Sequence, residues 1–322
     1  METALLMIDG GSTNTRFTLS FKDKVVERIQ QRTGASNGKE SVTETVRRTV
    51  DSLEEKWNCK VTEIYASGMI TSESGLRDIP HIEGPAGLDD LARAVVLRKL
   101  PEISTADFYF VPGIKFSAQP DRGTDLVRGE EVELLGAVES DAAEKDRLFL
   151  HFGSHNKLLI YHQGRICGSV TTLSGELLWA AWQNTILKKS MGELDFIPID
   201  GEYVLRGCRA AREQGLTRTL FCARTLDTVD HATAESIRSY VYGAVFGSDL
   251  QAFEKTLDEE PGELVLYGRD EFIRTAEICL REHQMKLDHP IRRISHEESE
   301  WLSVKGMQRI RCHRNQSKAA SL

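Results

Sequence analysis

The sequence predicts an α/β protein built from two similar domains, and two observations support this prediction. A pattern of three hairpin-connected strands followed by alternating helices and strands occurs twice along the 322 residues. In both halves a Gly-containing turn follows the first strand, at residues 9–14 (DGGSTN) and 152–156 (FGSHN). Two such domains facing each other across a cleft can present both turns to one ligand, because ligands bind preferentially in clefts between domains.

The first half opens with the apolar run Leu5 to Ile8, which is typical of a buried strand. Its last helix is predicted from the helical spacing of the apolar residues in VELLGAV at 132–138. We predict strands at 4–9, 15–21, 24–31, 62–67 and 107–112, and helices at 40–57, 87–99 and 129–141.

The second half repeats this order from Leu148, with an insertion that precedes residue 234. Trp179 and Trp182 stand at helical spacing near 177–187 and are predicted to lie in the core. We predict strands at 148–152, 157–162, 165–173, 263–268 and 290–294, and helices from Ser174 and over 234–256, 270–284 and 297–310.

The composition is that of an ordinary globular protein, with 28% charged and 40% hydrophobic residues. A net charge of −8 argues against a general nucleic-acid-binding protein, whose affinity depends on neutralising phosphates. The six cysteines are scattered, with no CxxC pair and no His at metal spacing. We therefore expect a reduced, cytoplasmic protein without a zinc site.

The chain shows no apolar run of the ~18 residues that a membrane span needs, so no membrane partner is expected. The first strand begins at the N-terminus and leaves no room for a signal peptide. The basic stretch 309–322 is interpreted as a frayed tail rather than a nucleic-acid-binding arm. The oligomeric state, including a homo-oligomer, is left open.

The turn at 9–14 is the segment that most strongly indicates a ligand-binding function. Gly10 and Gly11 are expected to turn the backbone with positive φ. The residues after them offer hydroxyls, an amide and backbone N–H groups, which together form a nest for phosphate oxygens: Ser12, Thr13 and Asn14. Asp9 is placed to hold Mg²⁺, largely through water. The competing interpretation is an ordinary Asp-Gly-Gly hairpin.

The second turn carries cationic groups as well as small residues. Gly153 frees the backbone, Ser154 offers a hydroxyl, and the strand period of two places His155 and Lys157 on one side. A lysine here could stabilise a transferring phosphoryl group or hold a substrate carboxylate. The competing interpretation is a surface strand whose lysine is solvated.

Residues 128–131 lead into a predicted helix. One of Glu130 and Glu131 could face the cleft as the base that takes a proton from a substrate hydroxyl, and nothing local separates the two. The simpler interpretation is that both carboxylates complement the helix dipole.

Three further segments are candidates for ligand contact. Gly268 lies between a strand and a helix in LYGRDEF, where a flat base or ribose could approach, although such junctions are common. The segment 67–72 (SGMITS) is either a substrate loop or a small-residue turn. Arg224 stands in an apolar run and is expected to pair with a carboxylate of substrate or protein.

Taken together, these segments resemble the 2-dehydro-3-deoxygalactonokinase family of sugar-acid kinases. That family belongs to the actin/hexokinase/Hsp70 superfamily of duplicated ribonuclease-H-like folds. The resemblance covers nearly the whole chain in order: IDGGSTNTR (8–16), ASGMITS (66–72), FVPG (110–113), LVRGEEVELLGA (126–137), FGSHNK (152–157), TLSGEL (172–177), GLTRTLFCARTL (215–226), LVLYGRDEF (264–272) and SVKGMQRI (303–310).

The resemblance implies two domains, at 1–142 and 143–322, around an ATP-binding cleft. It makes the turns 9–14 and 153–155 the phosphate motifs and Gly268 a mark of the adenosine motif. Helices 129–141 and 299–310 become the connecting helices, the second of which is expected to pack back toward the first domain.

The chain departs from the family pattern in the two turns. Ser154 and Asn156 stand where a Thr and a Cys are usual, and Leu158 and Gly10 replace aromatic residues. Serine keeps the hydroxyl, so phosphate binding is still expected. The changes at Asn156 and Leu158 leave the identity of the substrate open.

The resemblance implies an ATP-dependent kinase acting on 2-dehydro-3-deoxy-D-galactonate, at the 6-hydroxyl, with Mg²⁺ near Asp9. Two alternatives stay open, namely a non-catalytic nucleotide or sugar-acid sensor and a kinase of another keto-deoxy or aldonic acid. Glu130, Glu131 and Arg128 are the candidate catalytic residues. The nucleotide is expected at Gly11, Ser12, Thr13, Asn14, Gly153, Ser154 and Gly268, and the sugar acid at Arg16, Met69, His155, Lys157 and Arg224.

Overall fold

The structure, a computed structural model, describes residues 2–119, 123–138, 145–193, 199–282 and 289–319. The strands are β1 (Glu2–Gly10), β2 (Thr15–Phe21), β3 (Lys24–Gln31), β4 (Cys59–Gly68), β5 (Ile82–Glu83), β6 (Ala86–Gly87), β7 (Val96–Lys99), β8 (Asp107–Phe110), β9 (Ile114–Gln119), β10 (Gly123–Val127), β11 (Arg147–Phe152), β12 (Asn156–His162), β13 (Arg165–Thr172), β14 (Glu263–Gly268) and β15 (Ile291–Arg293).

The helices are α1 (Lys39–Trp57), α2 (Leu88–Ala94), α3 (Glu130–Ala137), α4 (Ser174–Asn184), α5 (Leu187–Met191), α6 (Gly201–Gln214), α7 (Leu216–Thr228), α8 (Ala234–Glu259), α9 (Asp270–Glu282), α10 (His296–Ser299) and α11 (Leu302–Ala319). Two single 3-10 turns, Ala35–Asn37 and Met69–Thr71, follow β3 and β4. None of the helices in these ranges is both long and apolar enough to cross a membrane.

The first of two compact units comprises Met1–Lys145, His162–Gly168 and Glu300–Leu322. Its main sheet has the order β3-β2-β1-β4-β8-β7. The first three strands are antiparallel neighbours, whereas β4 and β8 run parallel to β1 and β7 closes the edge antiparallel to β8. A smaller sheet has the order β10-β9-β5, and α11 packs on α3.

The second unit comprises Asp146–Tyr161 and Ser169–Ser299. Its strands follow the order β15-β14-β11-β12-β13. Here β11 and β12 are antiparallel, and β14 and β15 run parallel to β11. Numbered along the chain within each sheet, the strands β3-β2-β1-β4-β8 of unit 1 and β13-β12-β11-β14-β15 of unit 2 both have the order 3-2-1-4-5. This shared order confirms the predicted duplication of an α/β fold.

Central strands of both units read as apolar runs because both of their faces are covered. In unit 1, Leu6 and Ile8 of β1 and Phe108 of β8 are fully buried together with Val46 and Val50 of α1. In unit 2 the inserted helices α4 to α7 form a second core against α8.

Several predicted elements were wrong. The predicted helix 87–99 stops at Ala94, and residues 96–99 form β7 on β8. The predicted helix 297–310 is broken into α10 and α11. The predicted helix 129–141 ends at Ala137, and residues 139–141 lie outside the described residues. Trp179 is 55% exposed rather than buried in the core, whereas Trp182 is half-buried.

Candidate active site

The backbone of the first turn differs from the prediction. Neither Gly10 nor Gly11 has a positive φ, so the expected left-handed conformation was wrong. Gly10 is required by a close approach instead, because a Cβ atom there would lie 2.6 Å from the Cβ of Ile70. The missing side chain lets β1 end directly against the 3-10 turn Met69–Thr71.

The same turn is tied back through its carbonyl groups. Gly11 O accepts from the backbone N–H of Ala35 at 3.1 Å, and Ser12 O accepts from the backbone N–H and the hydroxyl of Ser36 at 2.9 and 2.7 Å. Within the described part of the chain, the backbone N–H groups of Ser12, Thr13 and Asn14 have no hydrogen-bond acceptor. The turn therefore keeps free donors, as the nest for an anion requires.

Asp9 forms an ion pair at the end of β1. Its Oδ2 atom accepts from Arg16 Nη1 at 3.2 Å, and the side chains of Asp9 and Arg16 are 14% and 34% exposed. No described residue donates a hydrogen bond to Asp9 Oδ1. Among the residues that the structure describes, no group of three or more His, Cys, Asp or Glu side chains converges to hold a metal ion. Asp9 thus offers one carboxylate oxygen to a cation rather than a complete cage.

Two glycines bring the start of α3 to this strand end. Gly68, the register partner of Gly10, would place a Cβ atom 2.5 Å from Gly10 O. Gly129, with φ of 117°, would place a Cβ atom 3.3 Å from Gly68 Cα. A side chain at either position would push the strand ends and the helix start apart. The contact therefore gathers Asp9 and the carboxylates of α3 in one unit.

The carboxylates of α3 differ in their exposure. Glu130 is half-buried, and its Oε2 atom accepts from the backbone N–H of Arg128 at 3.1 Å. Glu131 is fully buried and accepts from the backbone N–H of Gly129 at 2.7 Å. Burial, with a smaller contribution from Glu130, raises the pKa of Glu131 to about 8. Glu130 is therefore the more accessible of the two predicted bases.

Glu133 is a third acidic residue that the sequence prediction missed. Burial raises the pKa of Glu133 well above its ordinary value, and the charges of Asp9 and Glu130 add to that shift. The spacing of three places Glu130 and Glu133 on one face of α3, which is the signal that could have found it.

Arg128 is engaged by the protein rather than directed at solvent. Its Nη1 atom donates to both the carbonyl and the hydroxyl of Thr71 at 2.5 Å. Its Nη2 atom donates to Ile79 O at 3.0 Å and lies 3.1 Å from His81 Nδ1. Arg128 therefore links the 3-10 turn that contains Met69 to the start of α3.

In unit 2 the second turn packs against the first turn of α4. Glu176 N–H donates to Ser154 O at 2.9 Å, and a Cβ atom at Gly175 would lie 2.1 Å from Gly153 O. His155 Nε2 lies 3.2 Å from Glu176 Oε1. Gly153 does not have a positive φ, so this turn does not adopt the left-handed backbone conformation that glycine permits.

Two residues after the turn are buried, so the solvated lysine of the competing interpretation was wrong. Lys157 is 5% and Asn156 is 3% exposed. Asn156 Nδ2 donates to Asp249 Oδ2 at 2.8 Å, and the Ser174 hydroxyl donates to Asp249 Oδ1. Burial raises the pKa of Asp249 to about 6 despite these hydrogen bonds. The unusual Asn156 therefore anchors β12 to α8.

The junction of β14 and α9 lies beside the same turn. Gly268 has φ of 119°, and a Cβ atom there would lie 2.2 Å from Phe152 O. Arg269 N–H donates to Phe152 O at 3.3 Å. The predicted strand-Gly-helix junction is confirmed, and it is held close to the end of β11.

Arg224 lies apart from these residues, on α7. Its Nη1 atom donates to Asp227 Oδ2 at 2.5 Å and to the Ser190 hydroxyl at 3.2 Å. The expected carboxylate partner is therefore provided by the protein.

Comparisons with known proteins give the family and the fold of the chain. The sequence model of the 2-keto-3-deoxy-galactonokinase family matches residues 9–296. A protein of Rhizobium meliloti (strain 1021) assigned as 2-dehydro-3-deoxygalactonokinase DgoK1 is 28% identical over 191 residues. That alignment covers 58% of this chain and 60% of the relative, so it spans less than two thirds of the relative's length.

Two solved structures share the fold. A protein of Sinorhizobium meliloti assigned as a 2-dehydro-3-deoxygalactonokinase has a TM-score of 0.78 at 20% identity, covering 95% of this chain and 97% of that chain. Component A of the (R)-2-hydroxyglutaryl-CoA dehydratase of Acidaminococcus fermentans has a TM-score of 0.50 at 10% identity, covering 97% and 99%. At 20% and 10% sequence identity, these two structures show a shared fold only.

Proposed function

The chain belongs to the 2-keto-3-deoxy-galactonokinase family, and from that membership we propose that it is an ATP-dependent sugar-acid kinase. The substrate in this proposal is 2-dehydro-3-deoxy-D-galactonate, and the phosphoryl acceptor is its 6-hydroxyl. The structural observation that supports phosphoryl transfer is the contact of Gly10, Gly68 and Gly129, which brings Asp9, the first turn and Glu130 together in unit 1.

Phosphoryl transfer needs chiefly positioning and charge stabilisation. The carbonyl groups of Gly11 and Ser12 are hydrogen-bonded to the 3-10 turn Ala35–Asn37, which fixes the first turn. The backbone N–H groups of Ser12, Thr13 and Asn14 have no acceptor among the described residues and are suited to phosphate oxygens. In unit 2, Gly153 and Ser154 of the second turn and Gly268 of the β14–α9 junction are the proposed nucleotide contacts.

Glu130 is the proposed general base. It is half-buried, whereas Glu131 is fully buried and its carboxyl is held by Gly129. The hydrogen bond from the backbone N–H of Arg128 to Glu130 Oε2, at 3.1 Å, orients this carboxylate. Glu131 is proposed to fix the start of α3 instead.

A magnesium ion fits the donor chemistry near Asp9. Asp9 Oδ1 accepts no hydrogen bond from any residue in the described ranges, and a carboxylate oxygen is a ligand type that Mg²⁺ prefers. Since no complete protein cage is present among those residues, the ion would be held by Asp9 together with water and phosphate oxygens. When bound, it would neutralise charge on the phosphates.

The sugar acid is proposed to contact Arg16, Met69, His155 and Lys157. Arg16 keeps a 34% exposed side chain although it pairs with Asp9, so part of this cationic side chain remains accessible to an anionic group. For Arg224 to bind the substrate carboxylate, the substrate would have to displace Asp227. Arg128 is proposed to support the 3-10 turn rather than to bind substrate.

The proposal is tested with a panel of sugar acids that includes 2-dehydro-3-deoxy-D-galactonate, its gluconate epimer and simple aldonic acids. Initial rates of phosphorylated product should be highest with the galactonate compound, and the product should carry phosphate at C6. Preference for another acid would favour the kinase of a different substrate. Nucleotide binding without a phosphorylated product from any acid would favour the sensor.

A further inference from the structure

His81 is a half-buried polar residue that the proposed chemistry does not use. Its ring packs on Gly113, where a Cβ atom would lie 2.7 Å from His81 Cδ2. The Nε2 atom is inaccessible to solvent and has no hydrogen-bond partner among the described residues. Within the described ranges, the hydrogen-bonding contact of the ring is that between Nδ1 and Arg128 Nη2, at 3.1 Å.

The chemistry of this contact fixes the protonation state of His81. Arginine can only donate hydrogen bonds, so Nδ1 must accept and the ring must be neutral with its proton on Nε2. A protonated ring would lose this bond, face the guanidinium with like charge, and gain no acceptor at Nε2. Burial and the charge of Arg128 lower the pKa of His81 below its ordinary value of 6.5.

Arg128 connects His81 to the candidate active site. The Thr71 hydroxyl, which Arg128 holds, donates to Gly68 O at 3.0 Å. Gly68 contacts Gly129, and the backbone N–H of Arg128 itself donates to Glu130. An unbroken chain of contacts therefore runs from the His81 ring to the carboxylate proposed as the base.

Resting on the proposed kinase function, we propose that neutral His81 is a positioning residue that holds Arg128, and through it the Met69–Thr71 turn and Glu130, in the arrangement needed for turnover. Protonation of His81 releases Arg128, so the same contact makes turnover sensitive to acid. The charged groups that act on the ring are Arg128, Lys115 and Asp78.

The sign of the pH effect follows from the lowered pKa. Acid protonates the imidazole more readily in the unfolded chain than in the folded protein, so stability is lost as the pH falls below 6.5. Positioning by His81 in the folded protein is lost only at a lower pH, as the pH falls through the lowered pKa of His81. Above pH 6.5 the ring is neutral in both states, and His81 contributes no further pH dependence.

Two variants of His81 distinguish a role in holding Arg128 through a hydrogen bond from a role in packing alone. His81→Asn places an amide oxygen near the position of Nδ1, so it can accept from Arg128 but cannot be protonated there. His81→Leu removes the acceptor. We expect the Leu variant to lose about 10–100-fold in kcat, the scale for a displaced catalytic group, with the KM for ATP little changed. The Asn variant should restore kcat and lack the acid decline of kcat that protonation of His81 causes in the wild type.

A second readout does not require turnover. Amide hydrogen exchange in residues 69–72 and 128–133 should be faster in the Leu variant than in the wild type and the Asn variant. His296→Leu, at an exposed position on α10, is the matched control and should leave both readouts unchanged. If the wild type phosphorylates no sugar acid, the proposed function fails while the exchange measurement still tests the contact.

Wild-type kcat in the Leu variant, or equal acid declines in the wild type and the Asn variant, would overturn the proposal. Unchanged hydrogen exchange in the Leu variant would also overturn it. The proposal is supported if the Leu variant turns over more slowly, the Asn variant regains the wild-type kcat, and the kcat of the Asn variant does not decline at acid pH.

Discussion

The carboxylate of Glu131 accepts a 2.7 Å hydrogen bond from the backbone N–H of Gly129, the residue that immediately precedes α3. Gly129 in turn lies against Gly68 at the end of β4. The buried carboxyl thus stabilises a backbone conformation that only glycine adopts readily, because φ is 117° there. The two residues together set where α3 begins and where Glu130 is presented.

Replacing Glu131 by Gln should change stability rather than turnover. The raised pKa of about 8 keeps Glu131 protonated when the unfolded chain has already ionised, so the wild type loses stability as the pH rises from about 4.5 to 8. Glutamine resembles the protonated acid and does not ionise. The melting temperature of Glu131→Gln relative to the wild type should therefore increase by several degrees from pH 5 to pH 8. A constant difference across this range would refute the assignment.

Replacing Glu130 by Gln should reduce kcat by about 10²–10⁴-fold, because removal of a general base has effects of that size. The substitution removes one charge from a half-buried side chain, so the melting temperature should change little. Steady-state kinetics with ATP and the sugar acid measure the effect. If turnover stays near the wild-type rate, the base lies elsewhere, and Asp125 of β10 is the next candidate.

Replacing Asp9 by Asn should lower turnover at saturating Mg²⁺ by about 10²-fold, the scale for losing one preorganised electrostatic group. Stability should change by less than about 1 kcal/mol, since the ion pair with Arg16 is partly exposed. Glu44→Gln, at a partly exposed carboxylate of α1 that is also ion-paired, is the matched control and should leave turnover unchanged. A wild-type kcat in Asp9→Asn would remove Asp9 from the proposed metal site.

Replacing Gly34 by Ala should displace the first turn, because Gly34 packs against its residues Ser12 and Thr13. The added Cβ atom would lie 2.4 Å from Ser12 O and 2.5 Å from Thr13 N, so the turn must move. We expect ADP binding, measured by titration calorimetry, to weaken about 10-fold or more. Gly201→Ala is the control, because its Cβ atom would lie 3.6 Å from the nearest atom, Ile278 Cδ1. Equal affinities in both variants would show that the turn does not bind phosphate.

Elements set by local pattern were predicted closely. The bounds of β2 and β3 match the prediction because a tight turn fixes the hairpin register. Residues 96–99 were predicted as helix because β7 depends on pairing with β8, a partner outside its own window. The two-residue strand β5 gives no periodic signal at all.

The candidate site was predicted in part, for a similar reason. Short motifs mark the turns, the start of α3 and Gly268, where residue type and neighbours carry the signal. Burial of Glu131 and the partners of Arg128 depend on chain segments brought together by the fold. His81 and Thr71 precede Arg128 by 47 and 57 residues, and no local pattern relates them.

The measurement that tests the central claim most directly is ADP formation by the wild type with ATP and Mg²⁺, with and without 2-dehydro-3-deoxy-D-galactonate. Glu130→Gln purified in parallel reports any contaminating ATPase. We predict that the sugar acid stimulates ADP formation by the wild type, with a stoichiometric phosphorylated product, and that this stimulation falls about 10²-fold or more in the variant. ADP formation that is independent of the sugar acid, or equal in both proteins, would contradict the account.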